Sequence, residues 1–270
     1  FIYTPAELSD WAWRVPFVIG GVFGLISIYL RRFLQETPVF KKMRESKALA
    51  KFPLEEVVKT SRFGIWISMF ITWVLTGCIV VFILLMPGFV GGVLGFSPFE
   101  TTYFQMGGLV CIVSSCWLTG RLADKHNPST LCILFSAGFA VSSMAFFSLL
   151  YTAAPVVSEV VLAYFATCFF AGIMNFCPIF MCDVFPARIR FSGISFAYNI
   201  TYALSGAITP QLSFALHAYG KTHPDTLGAM GLSAYIVFLA LVSIGTALAM
   251  RRVYKNGGAA VSQMEFRPAP

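Results

Sequence analysis

The sequence predicts an all-α, polytopic membrane protein with about seven spanning helices. Three observations carry that prediction. The mean hydropathy is +0.77 and only 11% of residues are charged, against roughly 25% in ordinary soluble domains. Seven runs come close to or exceed the ~20 apolar residues that a helix needs to cross the hydrocarbon core. Of the 19 Lys and Arg residues, all but Arg14 and Lys221 fall in alternate connections between those runs, the bias that keeps basic loops cytoplasmic. The same bias orients the chain: the first run starts outside and the C-terminus ends in the cytoplasm.

The first run, Val15–Leu30, is opened by Trp11 and Trp13, aromatic residues of the kind that sit at the membrane interface. Residues 31–62 follow, carrying nine basic residues with Glu36, Glu45, Glu55 and Glu56. This connection is polar enough to hold one or two surface helices. The second run, Phe63–Met86, is expected to stop at Pro87-Gly88. Thr102–Thr119, Leu131–Tyr151, Glu159–Cys182, Phe191–Leu216 and Leu227–Met250 complete the set. These runs are continuous and lack strict polar alternation, which excludes barrel strands. One helix, a long basic connection and six helices read as the last helix of a first bundle (1–30), a central cytoplasmic loop (31–62), a complete six-helix bundle (63–250) and a cytoplasmic tail (251–270). The chain begins with Phe1 and shows no signal peptide, so it reads as starting within something longer.

Composition also excludes function classes. The formal charge of +7 does not gather on one soluble module, so it points to anionic headgroups rather than nucleic acid. The seven cysteines lie in apolar runs without a CxxC pair and read as small hydrophobes. His126, His217 and His223 are scattered, so no metal site is expected. HExxH, GxSxG and P-loop patterns are absent from the sequence, and with them the expectation of an enzyme, a cofactor or ATP hydrolysis.

Polar residues inside the runs are the candidate substrate contacts. Ser195, Asn199, Tyr202, Gly206 and Thr209 recur at steps of four and three, which places them on one helical face. Phe196, Ile200, Ala203, Leu204 and Ala207 lie opposite. A polar face within a membrane marks either a cavity or a helix seam; Asn and Tyr are large for a tight seam, which favours a cavity. Asn175, Trp73, Thr76 and Gln105 are further polar points, each alone either helix glue or a cavity ligand. Glu100, Glu159 and Asp183 sit near run ends, so no buried carboxylate is available to carry a proton.

Three segments resemble a known family. Trp11-Ala-Trp-Arg-Val-Pro16 with Arg31-Arg-Phe-Leu-Gln-Glu-Thr-Pro38 is similar to the sixth helix and its exit in major facilitator superfamily transporters of the metabolite:H⁺ symporter group. That group includes proline/betaine, α-ketoglutarate, citrate and shikimate carriers. Gly120-Arg-Leu-Ala-Asp124-Lys125 resembles the loop between helices eight and nine. Phe185-Pro-Ala-Arg188-Ile-Arg190-Phe-Ser-Gly193, with Tyr198-Asn199, resembles the start of helix eleven. The resemblance implies the C-terminal half of a proton-coupled carrier in a bacterial-type inner membrane. Its partners would be the lipid bilayer, a small polar metabolite, protons and an N-terminal bundle missing from this chain. It implies a cytoplasmic charge latch at Gly120, Arg121, Asp124 and Lys125. A second latch would lie at Arg188 and Arg190, with Asp183 as the available partner. The sequence departs from the family where Lys125 is followed by His126-Asn127-Pro128 instead of a second basic cluster. A half-transporter inactive without a partner, or a homodimer, are the alternative readings.

Overall fold

The computed structural model describes residues 3–34, 41, 44, 45, 52–152, 154–223 and 227–255. They fall into two units, one before residue 49 and one after it.

In the first unit, α1 (Pro5–Asp10) starts on a capping box. The Glu7 amide donates to Thr4 Oγ1, and the Thr4 amide donates to Glu7 Oε2 at 2.8 Å. This satisfies helix-end donors that have no partner within the helix. A 3₁₀ turn, Ala12–Arg14, leads into α2 (Val15–Arg31). Pro16 sits in the first turn of α2, where its missing N–H costs nothing. Ala12–Arg31 is long and apolar enough to cross a membrane, and covers the first predicted run.

The second unit is a helical bundle. A short helix, α3 (Pro53–Thr60), precedes α4 (Arg62–Cys78). A π-helical segment, Ile79–Leu85, joins α4 to α5 (Met86–Leu94). Then come α6 (Pro98–Ala123), α7 (Pro128–Leu150) and α8 (Val157–Phe170). A 3₁₀ segment, Ala171–Asn175, joins α8 to α9 (Phe176–Val184). The bundle closes with α10 (Ala187–Thr222) and α11 (Leu227–Lys255). Among the described residues there is no strand. α11 lies along α7, α10 along α4, and α8 along α7. The core between them is aromatic: Phe104 stacks on Tyr164 at 4.1 Å, and Phe82 meets Phe139 edge-on at 5.5 Å. Cys78, Cys132, Cys168 and Cys177 are buried and free.

In this unit Arg62–Leu94, Pro98–Ala123, Pro128–Leu150, Val157–Val184 and Gly231–Lys255 are long and apolar enough to span. With Ala12–Arg31 that makes six helices of this kind among the described residues. α10, the remaining predicted run, has the length, with 36 residues. Its Ser, Thr, Asn and Gln content keeps it below the others in hydropathy. Of the long basic connection, α3 is described as a surface helix, while residues 35–40, 42–43 and 46–51 lie outside the described residues, as do 256–270 of the tail.

Two predicted features change. Pro87-Gly88 does not stop the second run, which continues to Leu94. Proline is tolerated in the first turn of a helix, and α5 begins one residue before it, after the π segment. Pro87 offers no N–H to the carbonyls of Phe82 and Ile83, five and four residues earlier. Side chains replace it: Tyr164 Oη donates to the Phe82 carbonyl at 3.0 Å and Gln105 Nε2 to the Ile83 carbonyl at 2.5 Å. The true stop is Gly95 in the left-handed region, φ 69°, which a side chain would strain. The second change is in the fifth run, expected to be continuous. The 3₁₀ segment interrupts it, just before Pro178, which has no N–H for the Met174 carbonyl.

Candidate functional site

The polar face predicted along α10 is split. Its buried residues are Ile189, Gly193, Ala197, Thr201, Ser205, Thr209 and Ser213, repeating every four positions. At ~100° per residue, steps of four drift about 40° around the helix each time. The buried seam therefore winds until it meets the predicted polar face at Thr209. Small side chains there let helices approach closely. Thr209, expected on the open face, is fully buried in the bundle. Its hydroxyl and the Tyr235 hydroxyl of α11 lie 2.8 Å apart. Asn199 and Tyr202, nearer the start of α10, are exposed, and Ser195 is half-buried. Asn199 Nδ2 donates to the Ser195 carbonyl at 2.7 Å, and Tyr202 stacks on Tyr198 at 5.4 Å. Ile200, Ala203, Leu204 and Ala207, expected on the opposite, apolar side, are exposed as well.

Tyr235 also accepts a hydrogen bond from Trp73 Nε1 of α4 at 3.1 Å. A chain Trp73–Tyr235–Thr209 thus ties α4, α11 and α10 together. Sequence reasoning missed Tyr235; its signal was a lone hydroxyl-bearing aromatic in the apolar stretch Leu232–Leu239. Thr76 is buried and donates to the Thr72 carbonyl of its own helix at 2.9 Å. Gln105 is committed to the Ile83 carbonyl. Asn175 Nδ2 donates to the Cys116 carbonyl and to Thr119 Oγ1, both at 3.2 Å, which joins the 3₁₀ break to α6 beside Gly120. Thr76, Gln105 and Asn175 therefore serve as helix glue in this structure. Trp73, Ser195, Asn199 and Tyr202 remain partly open.

At the basic end of the bundle the predicted pairing changes. Arg188 forms its ion pair with Glu56 of α3, not with Asp183. Val57 of α3 is buried against Phe185 and Ile189, which brings Glu56 alongside the start of α10. Gly64 and Gly193 let α4 and α10 close on the Phe185 ring: a Cβ on either would come within 2.9 or 2.6 Å of it. Asp183 instead accepts from Tyr254 Oη of α11 at 2.5 Å. Arg190 Nε donates to the Phe185 carbonyl at 3.1 Å. Arg121 lies over the Trp117 ring, 4.3 Å from its centre, a cation–π contact. Asp124 ends α6. Among the described residues, no ion pair joins Arg121, Asp124 or Lys125.

At the other end, His217 of α10 stacks on Phe89 at 4.0 Å, and its Nδ1 lies 2.6 Å from Tyr151 Oη. Lys221 Nζ donates to the Gly92 carbonyl at 3.3 Å. Burial and, second, the nearby Lys221 charge push the His217 imidazole down to about 4. His217 sits one residue beyond the predicted run.

The Major Facilitator Superfamily profile matches residues 5–210. An inner membrane metabolite transport protein of Escherichia coli is 28% identical over 247 residues, 86% of this chain and 52% of its own length. A putative proline/betaine transporter of Staphylococcus haemolyticus is 22% identical, over 92% of this chain and 53% of its own length. A putative metabolite transport protein of Haemophilus influenzae is 24% identical, over 90% and 55%. The chain spans about half the length of the curated relatives it matches. No solved structure matches it.

Proposed function

The chain belongs to the Major Facilitator Superfamily, and on that premise we propose that it is the C-terminal half of a proton-coupled symporter of a small polar metabolite. The substrate class is an organic acid or a zwitterionic osmolyte, in line with relatives named for metabolite and for proline/betaine transport. In this reading residues 63–250 are one bundle, residues 1–30 the last helix of the other, and residues 31–62 the cytoplasmic loop between them. The protein lies in an inner membrane with its C-terminus in the cytoplasm.

The observation that carries the proposal is the open part of the polar face on α10. Asn199 and Tyr202 are exposed and Ser195 and Tyr198 half-buried, so their amide, hydroxyl and aromatic groups are left partly uncovered by their own bundle. In a membrane such groups need water, substrate or a second bundle. Alternating access supplies all three in turn, as two bundles rock about a midplane site. The Trp73–Tyr235–Thr209 chain forms the closed floor beside it. Arg121, Asp124 and Lys125, which have no ion pair among the described residues, are left for a latch with the complementary bundle.

The test is uptake of labelled proline, betaine or a dicarboxylate into proteoliposomes under an imposed proton gradient, with the two-bundle transporter reconstituted. Asn199→Ala with Tyr202→Ala raises the apparent KM; an unaltered KM makes this face a helix seam. Asp124→Asn lowers uptake at unchanged expression. A second reading is that this chain acts only beside a separate complementary bundle. It predicts no uptake by the chain alone and restored uptake on co-reconstitution.

A further inference from the structure

Between α4 and α11, near the basic end of the bundle, runs an open groove of about 350 Å³. Phe63, Trp66 and Phe70 form one wall, and Gly245, Thr246 and Ala249 line the other. The asymmetry makes the concavity: three large aromatic residues face three small ones. A Cβ built on Gly245 would meet nothing within 4 Å. The lining is apolar in function as well as in composition. Its one hydroxyl, on Thr246, is spent on the Val242 carbonyl of its own helix at 2.8 Å. The groove extends from Phe63 to Phe70 of α4, roughly 10 Å at 1.5 Å rise per residue, which is about two thirds of one leaflet of a ~30 Å hydrocarbon core.

Two cations mark its mouth. Arg62 precedes Trp66 and Phe70 by steps of four, and Arg252 follows Gly245 and Ala249 by steps of four and three, so each lies on the groove face of its helix. Both are exposed, and neither forms an ion pair among the described residues. Arg251, beside them, is turned to Thr130 Oγ1 at 3.1 Å. An apolar slot about 10 Å long with two guanidinium groups at its end complements an amphiphile with an anionic head and a hydrocarbon tail.

We propose that this groove is a binding site for one anionic phospholipid, its acyl chain against Trp66 and Gly245 and its phosphate between Arg62 and Arg252. The site does not depend on the substrate reading above, nor on which leaflet is cytoplasmic. The Trp66 ring, stacked on Phe70 at 5.8 Å, flanks the tail near the interface, a position aromatic residues favour.

The experiment is native mass spectrometry of the full chain in mild detergent, titrated with phosphatidylglycerol or phosphatidylcholine of matched acyl chains. One phosphatidylglycerol is retained with about tenfold preference. Arg62→Gln with Arg252→Gln, both at exposed positions, abolishes that preference while some binding of either lipid persists. Gly245→Phe, which fills open space, lowers retention of both lipids about tenfold, with thermal unfolding as the check that the bundle is intact. Equal retention of the two lipids by the unaltered chain overturns the proposal, as does a preference that survives loss of both arginines. If Gly245→Phe keeps its lipid but no longer associates with a complementary bundle, the groove is a protein seam and the proposal also falls.

Discussion

The two ends of the bundle are fastened by different chemistry. At the basic end the ties carry charge: Glu56 with Arg188, Asp183 with Tyr254, Arg190 with the Phe185 carbonyl, Arg251 with Thr130. Toward the opposite end the ties are neutral, apart from the exposed one from Lys221 Nζ to the Gly92 carbonyl. Tyr164 and Gln105 serve carbonyls freed by Pro87, and His217 is stacked on Phe89 beside Tyr151. Charged contacts near a surface weaken with salt and are individually modest. A buried carbonyl that loses its donor pays the full desolvation penalty and no salt relieves it. The difference assigns each end its own sensitivity: the basic end is loosened chiefly by ions, the other chiefly by removing a donor or charging the histidine.

The largest effect is expected from Tyr164→Phe with Gln105→Leu, which strips both freed carbonyls. The combined loss is about 2–4 kcal/mol, read as a lower unfolding temperature in detergent and equal at low and high salt. An unchanged temperature means those carbonyls find other donors, and the contrast between the ends collapses. Arg188→Gln is smaller, about 1 kcal/mol, because both partners are partly exposed. Its effect shrinks in 1 M salt, where the Debye length is ~3 Å; a salt-independent loss would make the Glu56–Arg188 tie a packing contact. At neutral pH the smallest effect is at His217, whose ring is then neutral in both the folded and the unfolded chain. Its folded value, about 4, lies below the ordinary ~6.5, so the unfolded chain takes up the proton first as pH falls. Stability is fully present above pH ~6.5 and declines from there toward pH 4. His217→Gln flattens that slope, while a slope unchanged in the variant assigns it to other groups. Tyr151 and Lys221 are the titratable neighbours that face the ring.

The spans were legible because hydropathy and basic-residue alternation act over whole helices, and local exceptions do not erase them. The site was half legible for a geometric reason. A face drawn at steps of four and three runs parallel to the helix axis, while the seam that packs α10 runs at steps of four and drifts across it. Ser195, Asn199 and Tyr202 lie where the two are apart, and Thr209 where they cross. Tyr235 was hidden because a buried tyrosine in an apolar run looks like core until its hydroxyl finds Trp73 and Thr209. The Glu56–Arg188 pair was hidden because α3 reaches α10 across the intervening helices of the chain, and nearness in sequence favoured Asp183. Pro87 reads as a stop by its own chemistry; what lets the helix continue comes from Tyr164 and Gln105 on other helices.

The seven unpaired thiols give the bundle a graded chemical record of its own opening. Cys182 is exposed, Cys111 and Cys116 are half-buried, and Cys78, Cys132, Cys168 and Cys177 are sealed in the core. An alkylating reagent therefore reacts in tiers, and the number of adducts on each chain reports how far that molecule has come apart. Cys177 and Cys182 flank Pro178 in α9, just after the 3₁₀ break, so their relative labelling rates separate fraying of the basic end from entry into the core, within a single helix and without a probe being introduced.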